Sequence, residues 1–402
     1  MLTSPHPKAE KPFQALFKKP WLRRELALAP LLLPAISMSA AEAFKLDSSY
    51  QVYDESEGRI KVVSRYFRGE MYLGDTTTFR FQILNDAISG ASPTGFLPGL
   101  PGGGQPFLAE LEDLRVGVLG ALSQQIGDHK VELELSRSRE SDYLSEGLAL
   151  SDKWELNQKN TTLTLGFNFL NDDIVVIGTR NQEKRSYDFV LGVTQLLDKN
   201  TVLSANLTIG YSEGYLNDQY KIIQRTNIVA GTAFTAVNRY PENRPSSRLR
   251  EVLQLQGTRF FDKYQAALDS TIRFSNDDYG VFSQSLQIEW RQGIGERWEV
   301  TPFFRYYRQN AADFYHQTLD GVVTTQPASF PDGSGPNYSA DYRLSSMSTL
   351  SLGLKTRFQL SENFSLSAAY EFYDMRGTGS NQAPAAAYPT ASIWTFGLTV
   401  QF

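Results

Sequence analysis

Cysteine is missing from all 402 residues, which removes disulfides, thiolate metal sites and cysteine nucleophiles together. Histidine occurs three times, and its scatter does not supply the three or four converging ligands that zinc needs. No GxxxxGK[ST] run is present, so the Gly- and Ser-rich stretch at 85–95, NDAISGASPTG, lacks the lysine and following helix of a phosphate loop. A formal charge of −5 gives no basic footprint for nucleic acid. The main apolar run, LALAPLLLPAI at 26–36, is too short to cross a bilayer as a helix. Beyond residue 43 no convincing helical period occurs.

The N-terminal stretch has a different use. Lys18, Lys19, Arg23 and Arg24 precede the apolar run, and SMSAAEA at 37–43 follows it. A basic region, a short apolar core and small residues make a secretory signal peptide, residues 1–43, cleaved near Ala41 or Ala43. Residues 44–402 then form one domain.

That domain is dominated by alternation of period two. In TVLSANLTIGY (201–211), Leu203, Ala205, Leu207, Ile209 and Tyr211 share one face, and Ser204, Asn206, Thr208 and Gly210 the other. TLTLGFNF (162–169) and WTFGLTVQF (394–402) repeat the pattern. The alternating stretches run to about 9–12 residues, the length that crosses a bilayer at a tilt, longer than the usual sandwich strand. Aromatics, 12% of the chain, gather near strand ends at Trp290, Trp298, Phe303, Phe304, Tyr306, Tyr307, Tyr370, Phe372 and Tyr373, as in interfacial girdles. These features predict an all-β fold, a transmembrane antiparallel up-and-down barrel, because closure alone leaves no unpaired backbone edge in lipid. Short turns near 70–75, 126–129, 157–160, 197–200, 261–264, 293–296 and 360–363 take turns with longer connections near 54–58, 86–110, 140–146, 172–183, 214–247, 275–281, 309–345 and 375–391. They separate sixteen strands, with fourteen to eighteen compatible, and put short turns in the periplasm and long loops outside. A last strand ending in Phe402 resembles the signal by which the barrel-assembly machinery recognises outer-membrane barrels.

A barrel of this size has room for an aqueous lumen. The expected inner face carries Lys61, Arg65, Arg80, Arg115, Lys130, Arg250, Arg273, Arg291, Arg305, Lys355 and Arg357. It also carries Glu132, Glu134, Asp188, Asp269, Glu289, Glu299 and Glu371. Such a wall suits a pore or partner-gated channel with a mild anion preference; pairing of these charges among themselves is the alternative. Residues 85–110 read as one long outer loop. Asp86, Ser89, Gly90, Ser92, Pro93, Thr94 and Gly95 are candidates for a constriction that tucks inward, with Asp86 anchored to an inner-face arginine. No catalytic site, metal or cofactor is expected. A surface hydrolase would have to rest on His316 with Asp313 or Asp320, since His129 falls in a short turn. Asn171-Asp172-Asp173 and Asn276-Asp277-Asp278 offer oxygens at strand ends without the EF-hand spacing, and read as turn residues.

Several segments carry a resemblance. ISGASPTG at 88–95, the acidic junction Tyr53-Asp54-Glu55-Ser56-Glu57-Gly58-Arg59, Ser138-Arg139-Glu140-Ser141-Asp142-Tyr143 and LNQKNTTLTLGF at 156–167 resemble a bacterial outer-membrane family, domain of unknown function 3570. The family pattern is Y-D-x-I-S-G-A-[ST]-P-T-G; this chain has Asn85 in place of the tyrosine and a Pro/Gly-rich 95–106 insertion. The resemblance implies an outer-membrane barrel without a known activity. Proximity of some members to a flavin-attaching transferase and thioredoxin-like proteins implies an envelope redox or export partner, which makes a closed scaffold that docks a periplasmic or surface partner the alternative function.

Overall fold

The computed structural model describes residues 43–97, 107–176, 181–228, 231, 235–321, 327 and 330–402; the expected signal peptide lies outside the described residues but for its last position. Among the described residues eighteen strands follow one another: β1 (Ala43–Glu55), β2 (Lys61–Leu73), β3 (Thr77–Pro93), β4 (Leu108–Ile126), β5 (His129–Arg139), β6 (Tyr143–Leu156), β7 (Thr161–Ile174), β8 (Gln182–Asp198), β9 (Thr201–Gly214), β10 (Ile222–Ile228), β11 (Thr235–Pro241), β12 (Ser247–Phe261), β13 (Ala266–Asp277), β14 (Phe282–Ile294), β15 (Trp298–Gln309), β16 (Met347–Gln359), β17 (Phe364–Gly377) and β18 (Thr390–Gln401).

Sixteen of these strands close an antiparallel barrel, each beside its sequence neighbour except where β9 pairs with β12 and β18 returns to β1. Phe44 and Phe402 exchange backbone hydrogen bonds of 2.9 Å across that seam. β10 and β11 form a separate hairpin inside the β9–β12 connection. Tight turns such as 74–76, 127–128 and 157–160 mark the periplasmic end, and the longer connections gather at the outer end.

Pairing sets the two faces. Leu133, Leu135, Leu148, Leu150, Phe396 and Leu398 point away from the lumen and are among many large apolar side chains left exposed, Leu135 at 56% and Phe396 at 51%. An apolar band of that extent has lipid, not water, as its neighbour. Two basic residues break the expected pattern. Arg65 lies opposite Tyr50 and Asn85, and Lys61 opposite Asp54 and Ser89, all on the outward face. Both therefore leave the lumen. The sequence KVVSRYFRGE has adjacent apolar pairs on both faces, so its alternation does not define a register; pairing with β1 and β3 does. Conversely, Phe303, Tyr307 and Tyr373 face the lumen instead of joining the girdle: they lie opposite Glu289, Ser285 and Ser351. Phe303 covers Gly353, where a Cβ would fall 2.3 Å from the ring.

The barrel wall has lipid on one side and a polar interior on the other, so its apolar packing core is elsewhere. It sits at the outer end. Tyr279, Val281, Phe314, Tyr315, Leu344, Met347 and Tyr388 form one cluster, and Ile223, Leu319, Tyr338 and Ala340 another. Most of these residues belong to the outer connections, which thus carry enough buried apolar surface to hold a defined structure.

Candidate functional site

The ISGASPTG segment is strand, not loop. β3 runs to Pro93 and pairs with β4 from Asp86↔Arg115 to Pro93↔Leu108, while Ser89 still pairs with Lys61 of β2. The expected constriction by Asp86 to Gly95 is therefore overturned for Asp86, Ser89, Gly90, Ser92 and Pro93. Turn-forming residue types are overridden by partners on both sides. The anchor expected for Asp86 is present within the wall: Arg115 Nε donates to its Oδ2 at 2.8 Å, and Asp86 is 2% exposed. Gly90 has φ +112, and an added Cβ would lie 2.1 Å from the Arg59 carbonyl oxygen. Its glycine permits the β1–β2 turn to press against β3.

The end of this strand is a socket. Lys221, just before β10, is 2% exposed, and its Nζ donates to Pro93 O at 2.6 Å and Ser92 Oγ at 3.2 Å. Ile222 N donates to Thr94 O at 2.9 Å. Gly95 passes so close that a Cβ would sit 2.7 Å from Ile222 O and 3.0 Å from the Ala340 side chain. Thr94 and Gly95 thus take part in an outer assembly, as receivers of a crossing loop.

That loop and the β15–β16 connection are joined by charge. Glu242 and Asp341 are each 1% exposed. Arg244 bridges them, with Nε 2.7 Å from Glu242 Oε1 and Nη2 2.8 Å from Asp341 Oδ2. Arg343 donates to Asp341 Oδ2 through Nε at 2.9 Å and Nη2 at 2.6 Å, and also pairs with Asp218. Ser339 Oγ donates to Glu242 Oε2 at 2.6 Å. Burial is the largest influence on Asp341 and pushes its carboxyl up, but Arg343, Lys221 and Arg244 together hold it well below the usual carboxylate range. Burial likewise pushes the Lys221 ammonium down and the Glu242 carboxyl up. Three cations (Lys221, Arg244, Arg343) face three carboxylates (Asp218, Glu242, Asp341), so the cluster balances when all are ionised.

The assembly spans the mouth. Ala340 packs over Gly95 at the end of β3, and the Tyr342 ring receives Lys221 Nζ at 5.4 Å and Arg59 at 6.0 Å. Arg343 and Leu344 line a cavity together with Arg273 and Asp277 of β13. β3 and β13 stand eight places apart in the sixteen-strand ring, so residues 340–344 cross from one side to the other. Gln309 Nε2 pins the crossing to β15 by donating to Arg343 O and Ser345 O, both at 2.9 Å. A second crossing ties the β9–β12 connection to the β5–β6 turn, where Tyr220 Oη and Gln219 both donate to Asp142.

Below this cap, most expected lumen charges pair with one another. Arg80 reaches Glu132 at 2.8 Å and Glu134 at 3.0 Å; Lys355 reaches Glu289 at 2.9 Å and Arg305 reaches Glu371 at 3.8 Å. Arg291 pairs with Asp269 at 2.6 Å. Among the described residues Lys130, Arg250, Arg273 and Arg357 have no carboxylate within 4 Å; Arg357 donates to Ser365 Oγ and Arg273 to Gln254 Oε1.

The remaining candidates are occupied structurally. Asp172 pairs with Lys184 at 3.0 Å and accepts from Tyr143 Oη; Asp277 accepts from Arg248 Nε at 2.9 Å. His129 is bonded to Asp152 at 2.7 Å and stacks on Trp154, on the outward face near the periplasmic end. His316 has its ring depressed in basicity by burial, and among the described residues it has no hydrogen bond to a serine or carboxylate side chain. Asp320 is engaged by Thr226 N at 2.6 Å. Asp113, Glu140 and Asp142 bring one oxygen each within 4.8 Å near the β5–β6 turn, with Ser141 and Tyr220 as their donors.

The sequence profile of a family described as a protein of unknown function, DUF3570, matches residues 24–182 and 178–389. The chain belongs to that family. No curated protein matches it in sequence. Solved structures with a similar fold include a loop L8 deletion mutant of OmpT, an outer membrane protein of Vibrio cholerae, at 7% identity, covering 90% of this chain and all 100% of that one with a TM-score of 0.43. The CymD monoaromatic hydrocarbon channel matches at 10% identity, covering 94% and 93% with a TM-score of 0.41. CdiB from Acinetobacter baumannii matches at 9% identity, covering 89% of this chain and 60% of that one with a TM-score of 0.47. The DUF3570 chain is an outer-membrane β-barrel.

Proposed function

We propose that this barrel is a gated channel for small solutes, shut at the outer mouth by the cap and opened when the ionic cluster around Asp341 and Glu242 gives way. The observation that carries the reading is the crossing itself: two loops span the mouth, joined by a balanced buried charge cluster and set in a socket on β3. Of the expected lumen charges, four unpaired cations (Lys130, Arg250, Arg273, Arg357) outnumber two unpaired carboxylates (Asp188, Glu299) among the described residues, a balance that favours anions over cations. Cleavage of residues 1–43 as a signal peptide and insertion by the assembly machinery through the strand ending in Phe402 belong to the same reading.

A second reading keeps the barrel closed as a scaffold for a periplasmic or surface partner, with an envelope redox or export system as the class the family resemblance implies. Its supporting observation is the β10–β11 hairpin, where Ile228 is 79% and Val237 49% exposed. One experiment separates the two. Residues 216–245 are replaced by a short Gly-Asn turn that joins β9 to β12 directly. The purified, folded variant is expected to give large, stable conductance steps in planar bilayers where the intact chain gives rare ones. A variant that folds and still shows no steps removes the channel reading and leaves the scaffold.

A further inference from the structure

We infer that the cavity under the cap is a binding vestibule for a small organic dianion, held between Arg250 and Arg273. The inference rests on the channel reading for its biological sense, and on the geometry of the wall for its chemistry. The cavity has a volume of about 570 Å³ and is roofed by Arg343 and Leu344. That volume lies within the range of small-molecule sites, which run from about 300 to 1,000 Å³.

Its charge is unbalanced in a specific way. Asp277 stands directly opposite Arg250 in the β12–β13 register and would be its natural partner. Asp277 is already committed. Its Oδ2 accepts from Arg248 Nε at 2.9 Å, and its Oδ1 accepts from Tyr279 N at 3.1 Å and Val281 N at 2.9 Å. Arg250 is exposed to the lumen, and among the described residues its guanidinium meets no carboxylate within 4 Å. Arg273 is oriented but not neutralised: its Nη2 donates to Gln254 Oε1 at 2.6 Å and its Nε to the same oxygen at 3.2 Å. The other two cations on the lining are spent: Arg343 on Asp218 and Asp341, and Arg248 on Asp277. Asp188 shares the rung of Arg250 across Gly210, accepts from Asn168 and is not part of the lining, so two positive charges are left on the cavity wall itself.

The spacing between them selects the ligand. Arg273 lies opposite Gln254, four positions along β12 from Arg250. At ~3.4 Å per residue this separates the two backbones by ~14 Å along the strand. Each guanidinium sits on a flexible stem several ångströms long, so a molecule with two anionic ends a few ångströms apart reaches both. The rung between them carries Thr208, Val252, Ser275 and Ser283. Hydroxyls there donate to ligand oxygens, and Val252 touches a short hydrocarbon link. Carboxylate and phosphate share this chemistry, because arginine presents a planar pair of donors to either.

The test is equilibrium dialysis on the full-length purified protein in detergent, which does not require conduction. The probes are labelled glutarate, 3-phosphoglycerate and inorganic phosphate, with glycerol as the uncharged control. Saturable binding at one site per barrel is expected for glutarate or 3-phosphoglycerate, and whichever binds more tightly identifies the preferred anionic group. Affinity is expected to fall at least ~10-fold in Arg250→Gln and in Arg273→Gln, since each loses a charge-assisted contact. Lys153→Gln, which removes a lumen-facing cation on β6, is expected to bind as the parent does. Strand circular dichroism and unheated electrophoretic mobility confirm that each variant is folded. Absence of saturable binding for all three anions overturns the inference. So does equal affinity in the parent and both arginine variants, or an equal loss in Lys153→Gln, which marks a diffuse charge effect. Binding without conductance in any variant would sink the channel reading and leave this site standing; conductance without binding does the reverse.

Discussion

Asp341→Asn is the sharpest perturbation of the cap. The side chain is 1% exposed and accepts from both Arg244 and Arg343, with Arg244 Nη2 at 2.8 Å and Arg343 Nη2 at 2.6 Å. Asparagine keeps the shape and one acceptor but removes the charge. Lys221, Arg244 and Arg343 would then face only Asp218 and Glu242, one buried positive charge in excess. Removing one partner of a buried pair costs about 3–5 kcal/mol. Arg343 keeps 49% of its side chain in solvent, so the lower end of about 3 kcal/mol applies here. At ~1.4 kcal/mol per factor of ten, the balance between shut and open cap moves by about 100-fold toward open. The barrel is spared, because its ladder of strand pairs includes none of these residues. Single-channel recording should therefore show open probability rising by about two orders of magnitude in a variant with unchanged strand content. Limited proteolysis from outside should cut the 215–246 or 310–346 connection faster. An Asp341→Asn protein that folds, gates within threefold of the parent and resists protease equally would refute the argument that this charge cluster holds the cap.

Two further outcomes follow from the same geometry. Gly95→Ala places a Cβ 2.7 Å from Ile222 O at φ +98, so it should loosen the socket by about 1–3 kcal/mol and raise protease sensitivity of the cap. Gly74→Ala, with φ +66 and no atom within 4 Å in a periplasmic turn, should leave the cap as resistant as before. On acidification, Asp341 is the group to follow: its carboxyl is held below its unfolded value, so its stabilisation is complete above about pH 4 and is lost as pH falls toward the folded value. Glu242 works in the opposite sense, since its raised carboxyl is relieved of a cost as it takes up a proton. In a Glu242→Gln background, which removes the opposing titration, the difference in open probability made by Asp341→Asn should hence be flat from pH 7.5 to 5 and change only below about pH 4; a change centred near pH 6 would contradict it.

Period two made the barrel legible because its two solvents differ. Lipid outside and a polar lumen inside force each residue of a crossing strand to one chemistry or the other, as in β9 and β18. Where both faces meet the same surroundings, that signal fades. Arg65 sits among Val63, Tyr66 and Phe67, where apolar residues fall on both faces, and only the pairing with Tyr50 and Asn85 decides its face. β3 failed for a related reason. Its last turn-like residues are chosen for what presses on them: Gly90 for the Arg59 carbonyl, Ser92 and Pro93 for the Lys221 ammonium, Gly95 for Ile222 and Ala340. Apart from Gly90 and Arg59, these contacts join residues more than a hundred positions apart, beyond the reach of local composition.

The cap was hidden for the same cause, and this bears on how the barrel works. Lys221, Glu242, Arg244, Asp341 and Arg343 look like ordinary loop charges in sequence, where loops are expected to be solvated. In the fold Lys221, Glu242 and Asp341 are buried, with Arg244 mostly covered and Arg343 half exposed, and burial of matched charge is seldom favourable for stability alone. Well-packed apolar residues would hold two loops together at least as firmly. An ionic joint differs in its failure: an apolar contact loosens gradually, whereas loss of one charge leaves the others uncompensated and drives the loops apart. On the proposed gating, such a joint between the β9–β12 connection and residues 340–344, which cross from β3 to β13, would make the mouth two-state, the property a gate needs and a passive plug does not.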